Sequence, residues 1–288
     1  MKKVVIFGAA TGGKKVAQNL LGKAYNGGGD YEILFFVDND DKKWGKTMSV
    51  CNQLYAIHPP TKLSEVEFDK VIVASICGED IVKQLEKELK IPYEKIDDLF
   101  IRQYFMSFEV FLEHFAMYCK AKNIAGEIAE LGVYQGDSAK RLNAYFPDKK
   151  LYLFDTFEGY MALDIKERDS EAKNLGDKHL SNTSVALVQS KMPYPNNVVI
   201  KKGWFPQSAQ GLEQEKFCLV NLDPDLYEPL KAGLEFFYPR LVKGGVLLIC
   251  GYFSPHAGIK QACDEFCKQH KLSLIPLGFG NFMALVKA

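Results

Sequence analysis

The sequence predicts an α/β protein of two domains, each built on a mostly parallel sheet. Three observations carry that reading. The chain has 288 residues, and at about 150 residues per domain that length gives two domains. Short apolar runs alternate with helical patterns, the arrangement that builds parallel βαβ units. Two of those runs lead straight into glycine-rich turns followed by helices, one near the N-terminus and one near the middle of the chain.

Composition sets the broad class. Hydrophobic residues make up 47% and charged residues 25%, which suits a folded chain with a real core and excludes global disorder. Lys plus Arg and Asp plus Glu are 36 each, so the formal net charge is zero. Binders of nucleic acid or anionic membranes need a basic surplus, so neither partner is expected. No stretch approaches the roughly 18 apolar residues of a membrane span. The apolar run at the N-terminus is too short for a secretion signal and ends in a glycine loop. The seven cysteines (Cys51, Cys77, Cys119, Cys218, Cys250, Cys263, Cys267) are scattered, mostly in apolar runs. They read as reduced core thiols of a cytoplasmic protein. Cys263 and Cys267 stand one helical turn apart but lack further Cys or His at ligand spacing.

The first domain is expected over residues 1–100. Val4–Phe7 reads as a strand, Gly8-Ala9-Ala10-Thr11-Gly12-Gly13 as the turn and Lys14–Leu21 as the next helix. A polar glycine run, Gly27–Gly29, follows. Ile33–Val37 is a second buried strand ending at Asp38, Lys70–Ser75 a third, and Asp80–Leu89 an amphipathic helix. The turn has Ala10 where a dinucleotide fingerprint has its middle glycine, the one that lets a pyrophosphate approach. That methyl group argues against an NAD-dependent oxidoreductase. Asp38 also reads as a plain turn residue. From Lys3 to Leu99 the segment resembles the small Rossmann-like, CoA-binding-type domain at the front of some sugar-modifying enzymes of surface polysaccharide synthesis. Two readings stand for it: a nucleotide or nucleotide-sugar site, or a ligand-free structural domain.

Residues 101–125 are expected as a linker helix. Within Ile101–Lys122, Phe105, Phe108, Phe111, Phe115 and Tyr118 recur at helical spacing and make an apolar packing face.

The second domain is expected over residues 126–288. Its strands are Glu127–Leu131, Leu151–Asp155, Val198–Lys201, Phe217–Asp223 and Val246–Cys250. Leu272–Leu277 and Asn281–Val286, joined by Gly278-Phe279-Gly280, read as an antiparallel hairpin. The polar segment Ala162–Asn182 reads as a mobile lid or a surface excursion. Glu130-Leu131-Gly132-Val133-Tyr134-Gln135-Gly136-Asp137-Ser138 joins the first strand to a helix, and its glycines let a ligand approach the backbone at the strand ends. The next strand ends in Asp155, and an acid there suits ribose hydroxyls. With no pyrophosphate cradle, the expected ligand contains adenosine but no pyrophosphate. The glycine spacing alone also fits an ordinary turn.

Five ordered motifs sharpen this half: Glu130–Ser138, Phe154-Asp155-Thr156-Phe157-Glu158-Gly159, Lys202-Gly203-Trp204-Phe205-Pro206, Asp223-Pro224-Asp225-Leu226-Tyr227-Glu228, and Tyr238-Pro239-Arg240-Leu241 with Gly244-Gly245. A parallel sheet closed by an antiparallel hairpin is the plan of class I methyltransferases. From Gly126 onward the sequence resembles the macrocin O-methyltransferase family, which methylates hydroxyls, notably on sugars of natural products, with S-adenosylmethionine and usually Mg²⁺. The resemblance implies that Glu130, Gly132, Gly136 and Ser138 line the methionine side of the cofactor and that Asp155 holds its ribose. It implies that Asp223 serves as base and metal ligand. Asp223 and Asp225 have a second reading as caps of the following helix.

One departure stands out. The family ends its fifth strand with two aspartates before a tyrosine, and here the run is Leu248-Ile249-Cys250-Gly251-Tyr252. A hard cation needs several oxygen ligands, so the Mg²⁺ site reads as dismantled and no metal ligands are assigned. His256, just downstream, is a candidate base or a solvated loop residue. Trp204-Phe205 and Tyr252-Phe253 are candidates for packing on adenine or a sugar ring, or for the core.

The expected function is S-adenosylmethionine-dependent O-methylation of a sugar hydroxyl in glycan or natural-product biosynthesis. The substrate is expected to be a small molecule, a glycan or a nucleotide-sugar; a homo-oligomer is compatible with the sequence. The alternative is a catalytically degenerate cofactor- or nucleotide-sugar-binding protein without methyl transfer.

Overall fold

The computed structural model describes residues 1–22, 30–75, 78–278 and 281–288. Gly27–Gly29, Cys77 and the Phe279-Gly280 part of the expected hairpin turn lie outside the described residues. The chain divides into two compact units, Met1–Met106 and Ser107–Ala288.

The first unit contains β1 (Lys2–Phe7), α1 (Thr11–Leu21), β2 (Tyr31–Val37), β3 (Thr47–Val50), β4 (Gln53–His58), β5 (Lys70–Val73), α2 (Gly78–Lys87), β6 (Ile96–Asp97) and the start of α3 (Leu99–Lys122). Its sheet runs β3-β4-β2-β1-β5-β6, parallel except for the β3–β4 pair. Val4 and Ile6 pack in one core while Val5 and Phe7 pack in another, as expected of a strand buried on both faces. The β3–β4 hairpin did not announce itself in the sequence. Its two-residue turn is Cys51-Asn52, at φ +47° and +65°, and a cysteine is an unusual occupant of such a position. The turn leaves Cys51 exposed, so this thiol is not a core residue.

The glycine turn of this unit is closed by its own residues. Gly8 has φ +116°, and a Cβ there would lie 2.8 Å from the Ala74 carbonyl oxygen. The Asp38 carboxylate accepts the Ala9 N–H at 2.7 Å, the Asp40 N–H at 2.9 Å and the Lys43 ammonium at 3.0 Å. Asp38 therefore fastens the loop.

The second unit continues α3 and adds β7 (Glu127–Leu131), α4 (Asp137–Tyr145), β8 (Leu151–Asp155), α5 (Ser170–Leu175), α6 (Val185–Lys191), β9 (Val198–Lys202), β10 (Phe217–Leu222), α7 (Tyr227–Phe237), β11 (Leu241–Ile249), α8 (Ala257–His270), β12 (Ile275–Pro276) and β13 (Met283–Val286). The sheet runs β12-β13-β11-β10-β7-β8-β9. β13 is antiparallel to both β11 and β12, and the other pairs are parallel. The apolar residues of α3 divide accordingly. Ile101 and Phe105 join a core of the first unit, while Phe108 stacks on Phe282 at 5.6 Å in the second.

Among the described residues no helix is long and apolar enough to cross a membrane. Cys119, Cys218, Cys263 and Cys267 are buried free thiols. The second core centres on Phe237, fully buried, whose ring meets Phe154, Phe205 and Phe217 at 5.2–5.6 Å. Phe237→Ala is expected to cost about 3–5 kcal/mol, read as a lower urea midpoint with an unchanged slope.

Candidate functional site

In the second sheet the chain runs outward from β7 through β8 to β9 and then returns to the other side of β7 with β10. That reversal falls at the carboxyl ends of β7 and β10, the place where open α/β sheets bind ligands. Gly132 follows β7 at φ +85°, its N–H on the Phe154 carbonyl at 3.0 Å. A Cβ there would lie 2.6 Å from the Asp223 carbonyl oxygen, so no side chain fits.

Asp155 faces this turn and holds it. Its Oδ2 accepts the N–H groups of Val133 at 2.7 Å and Tyr134 at 2.9 Å, and Oδ1 accepts the Phe157 N–H at 2.7 Å. Tyr134 sits at φ +49°, an uncommon conformation for an aromatic residue, which the carboxylate stabilises. An ionised carboxylate accepts about four hydrogen bonds, so these three leave one acceptor position on Oδ1.

A buried polar cluster lies at the same strand ends. Glu130 and Asn221 are register partners on β7 and β10, and both are fully buried. Glu130 Oε1 accepts the Ser138 hydroxyl at 2.5 Å and the Asn221 amide at 2.7 Å. Glu130 Oε2 and Asn221 Oδ1 are buried oxygens with no hydrogen-bond partner among the described residues. Burial raises the Glu130 pKa to about 8, outweighing the two hydrogen bonds that pull it down. Gly136, at φ +82°, caps α4, and Val188 of α6 would stand 3.1 Å from a Cβ there. Asn221 escaped the sequence reading, although a lone amide inside the apolar run Phe217–Leu222 is the kind of signal that marks a functional strand end.

Asp223 follows β10, and its partly buried carboxylate is hydrogen-bonded by the Cys250 thiol. Burial, then the charge of Asp225, raises its pKa to about 7. Asp225 does not cap α7. Its Oδ2 accepts the Tyr160 hydroxyl at 2.8 Å, and α7 takes its cap from Asp169, whose Oδ1 accepts the Tyr227 N–H at 3.1 Å. A residue 58 positions away in sequence could not be foreseen as that cap.

Asp169 belongs to the segment Ala162–Asn182, which is not a surface excursion. Asp164, Asp169 and Ala172 are buried. Asp164 accepts the Trp204 indole N–H at 2.7 Å, and Asn182 accepts the Tyr134 hydroxyl at 2.7 Å and the Gln135 amide at 2.8 Å. The segment is thus stitched to β9, to α7 and to the glycine turn. Trp204 and Phe253 are exposed while Phe205 is in the core. His256 precedes α8, with Nδ1 buried and unpartnered.

The oxygens of Asp155, Glu130 and Asn221 at these strand ends suit a ligand carrying N–H and O–H donors. A hard divalent cation is a poor fit: among the described residues no group of three or more His, Cys, Asp and Glu side chains is placed to hold a metal.

The sheet order, the closing hairpin and the glycine turn beside an acid-ended strand define a class I methyltransferase fold. The family model described as Macrocin-O-methyltransferase (TylF) matches residues 110–277, more than half of the chain, and the chain belongs to that family. A model described as C2185-like, N-terminal, matches residues 1–97. Mycinamicin III 3''-O-methyltransferase of Micromonospora griseorubida is 26% identical over 178 residues, covering 56% of this chain and 68% of that relative. Demethyldecarbamoylnovobiocin O-methyltransferase of Streptomyces niveus is 22% identical over 157 residues, covering 50% of this chain and 59% of its own length. Among solved structures, the O-methyltransferase NovP shares the fold at TM-score 0.55 and 19% identity, over 63% of this chain and 80% of its own. The calicheamicin methyltransferase CalS11 does so at TM-score 0.55 and 21% identity, over 74% and 93%.

Glu130 supplies a pH prediction. Its folded pKa, about 8, lies above the ordinary 4.5, so between those values the folded chain keeps a proton that the unfolded chain releases. Its contribution therefore makes stability fall as pH rises through that window, by at most about 1.4 kcal/mol per pH unit, and then level off. Glu130→Gln is expected to remove this decline, seen as a Tm advantage over wild type that grows from pH 5 to pH 8 (roughly the window's limits).

Proposed function

We propose that this chain transfers a methyl group from S-adenosylmethionine to a sugar hydroxyl during assembly of a glycan or natural product. The observation that carries the reading is the buried polar cluster at the reversal point of the sheet, where Glu130 Oε2 and Asn221 Oδ1 have no partner among the described residues, beside the turn that Asp155 holds. Asn221 Oδ1 and, once Glu130 gives up its proton, Glu130 Oε2 suit an amino-acid ammonium, because a buried unpaired acceptor costs about 1–3 kcal/mol until a donor reaches it. Gly132 lets the turn pass close against the end of β10 and Gly136 lets it pass α6, with Ser138 beside them, and the remaining acceptor position of Asp155 suits a ribose hydroxyl. Membership of the macrocin O-methyltransferase family supports the same cofactor. Two relatives are named as O-methyltransferases of natural products, which supports an acceptor of that class.

Bound S-adenosylmethionine supplies a methyl group already activated on a sulfonium. The work left to the chain is alignment, exclusion of water and removal of one proton. The segment tied down by Asp164 and Asp169 covers the strand ends. Asp223 takes the proton of the acceptor hydroxyl, and its raised pKa, about 7, suits a base working near neutral pH. His256 is the second candidate for that proton, with Nδ1 free of any partner among the described residues. Exposed Trp204 and Phe253 offer ring faces to a sugar. Cys250-Gly251 favours one other reading, binding without turnover.

Calorimetry tests the cofactor. S-adenosylhomocysteine is expected to bind with one-to-one stoichiometry, and Asp155→Ala to weaken it at least tenfold; no heat at millimolar ligand would overturn the reading. Asp223→Asn is expected to keep that affinity within a few-fold and lower methyl transfer by about 10²-fold or more. A wild type that binds the cofactor yet methylates no sugar offered would leave the binding-only reading standing.

A further inference from the structure

The end of β11 is rebuilt in a way that goes beyond the loss of two acids. Gly251 has φ +84°, and a Cβ there would lie 2.6 Å from Ile259 Cδ1 and 3.4 Å from Ser254 Oγ. Ile259 is 1% exposed, in the first turn of α8 and part of the central core. A carboxylate at position 251 is therefore opposed twice, by the backbone conformation and by a buried core side chain that would have to repack. The preceding residue offers only a thiol. Cys250 is fixed beside the neighbouring strand end by its N–H on the Leu222 carbonyl at 2.8 Å, and its side chain is spent on the Asp223 carboxylate. Asp225, the other acid nearby, has its Oδ2 committed to the hydroxyl of Tyr160, itself 7% exposed.

A hard divalent cation takes about six oxygen ligands and gains little from neutral sulfur. Beside the Asp223 carboxylate, the end of β11 supplies a thiol and a glycine and no side-chain oxygen. We infer that the Asp223–Cys250 pair stands where the family's cation site would be, so that this protein binds no Mg²⁺ there and Asp223 works with a thiol as its partner. The inference rests on the reading of Asp223 as the acceptor-side base. Gly251 reinforces the arrangement, since an acid there would have to displace the Ile259 side chain from the core.

Mn²⁺, which reports on Mg²⁺ sites through its electron paramagnetic resonance signal, is the probe. Full-length protein is titrated with Mn²⁺, with and without S-adenosylhomocysteine. The free-ion signal is expected to follow total Mn²⁺ into the millimolar range in both series. Uptake of one equivalent at micromolar concentration, lost in Asp223→Asn and in Asp223→Ser as a second variant, overturns the inference. Uptake that survives both substitutions lies elsewhere and leaves it standing. Calorimetry with S-adenosylhomocysteine on the same sample keeps the two claims apart. A failure there removes the cofactor assignment, while the Mn²⁺ titration still decides whether these strand ends hold a cation.

Discussion

The site depends on one contact: an acid at the end of the second strand holding the turn that leaves the first. In the second unit Asp155 accepts two N–H groups from Val133-Tyr134. The turn passes so close to the end of β10 that Gly132 has no room for a Cβ. Hydrogen bonds to an ionised acceptor are among the stronger ones, about 1.5–3 kcal/mol each, and here they oppose a strained tyrosine backbone. The first unit repeats the device. Asp38 accepts the N–H of Ala9, and Gly8 is pressed against the Ala74 carbonyl. The difference is charge: the Lys43 ammonium sits on Asp38, whereas the three partners of Asp155 are backbone N–H groups.

Around that turn, polar groups are arranged in two layers. Glu130, Ser138 and Asn221 form an inner layer joining β7, α4 and β10. Burying an acid this way is costly unless it is neutral or paired, and Glu130 answers by holding its proton to about pH 8. Asp164, Asp169 and Tyr160 form an outer layer that carries the covering segment down onto the strand ends. Asp223 lies between the layers, near the charge of Asp225 and in contact with a neutral thiol.

Much of the fold was legible in the sequence. Val4–Phe7, Leu151–Asp155 and Glu127–Leu131 sit within or coincide with observed strands, because a strand buried on both faces leaves an unbroken apolar run. The closing antiparallel pair of β12 and β13 was legible from the short separation of two apolar runs. The β3–β4 hairpin was not, since its turn uses Cys51-Asn52 in place of the usual glycine pair. Nor was the covering segment: its charged residues read as surface, yet Asp164 and Asp169 are buried because Trp204 and the start of α7 need acceptors.

The sequence by itself determined which residues make the sheets, where the glycines break them and which acid ends each second strand. These properties follow from local periodicity and from the conformational freedom of single residues. Only the tertiary structure decided what each acid does. Asp155 holds a turn, Asp169 caps a helix that Asp225 leaves uncapped, and Glu130 meets an amide from a strand that returns 91 residues later. Hydrogen-bond partners are set by proximity in space, and a chain that reverses across its own sheet brings together groups that no spacing along the sequence connects.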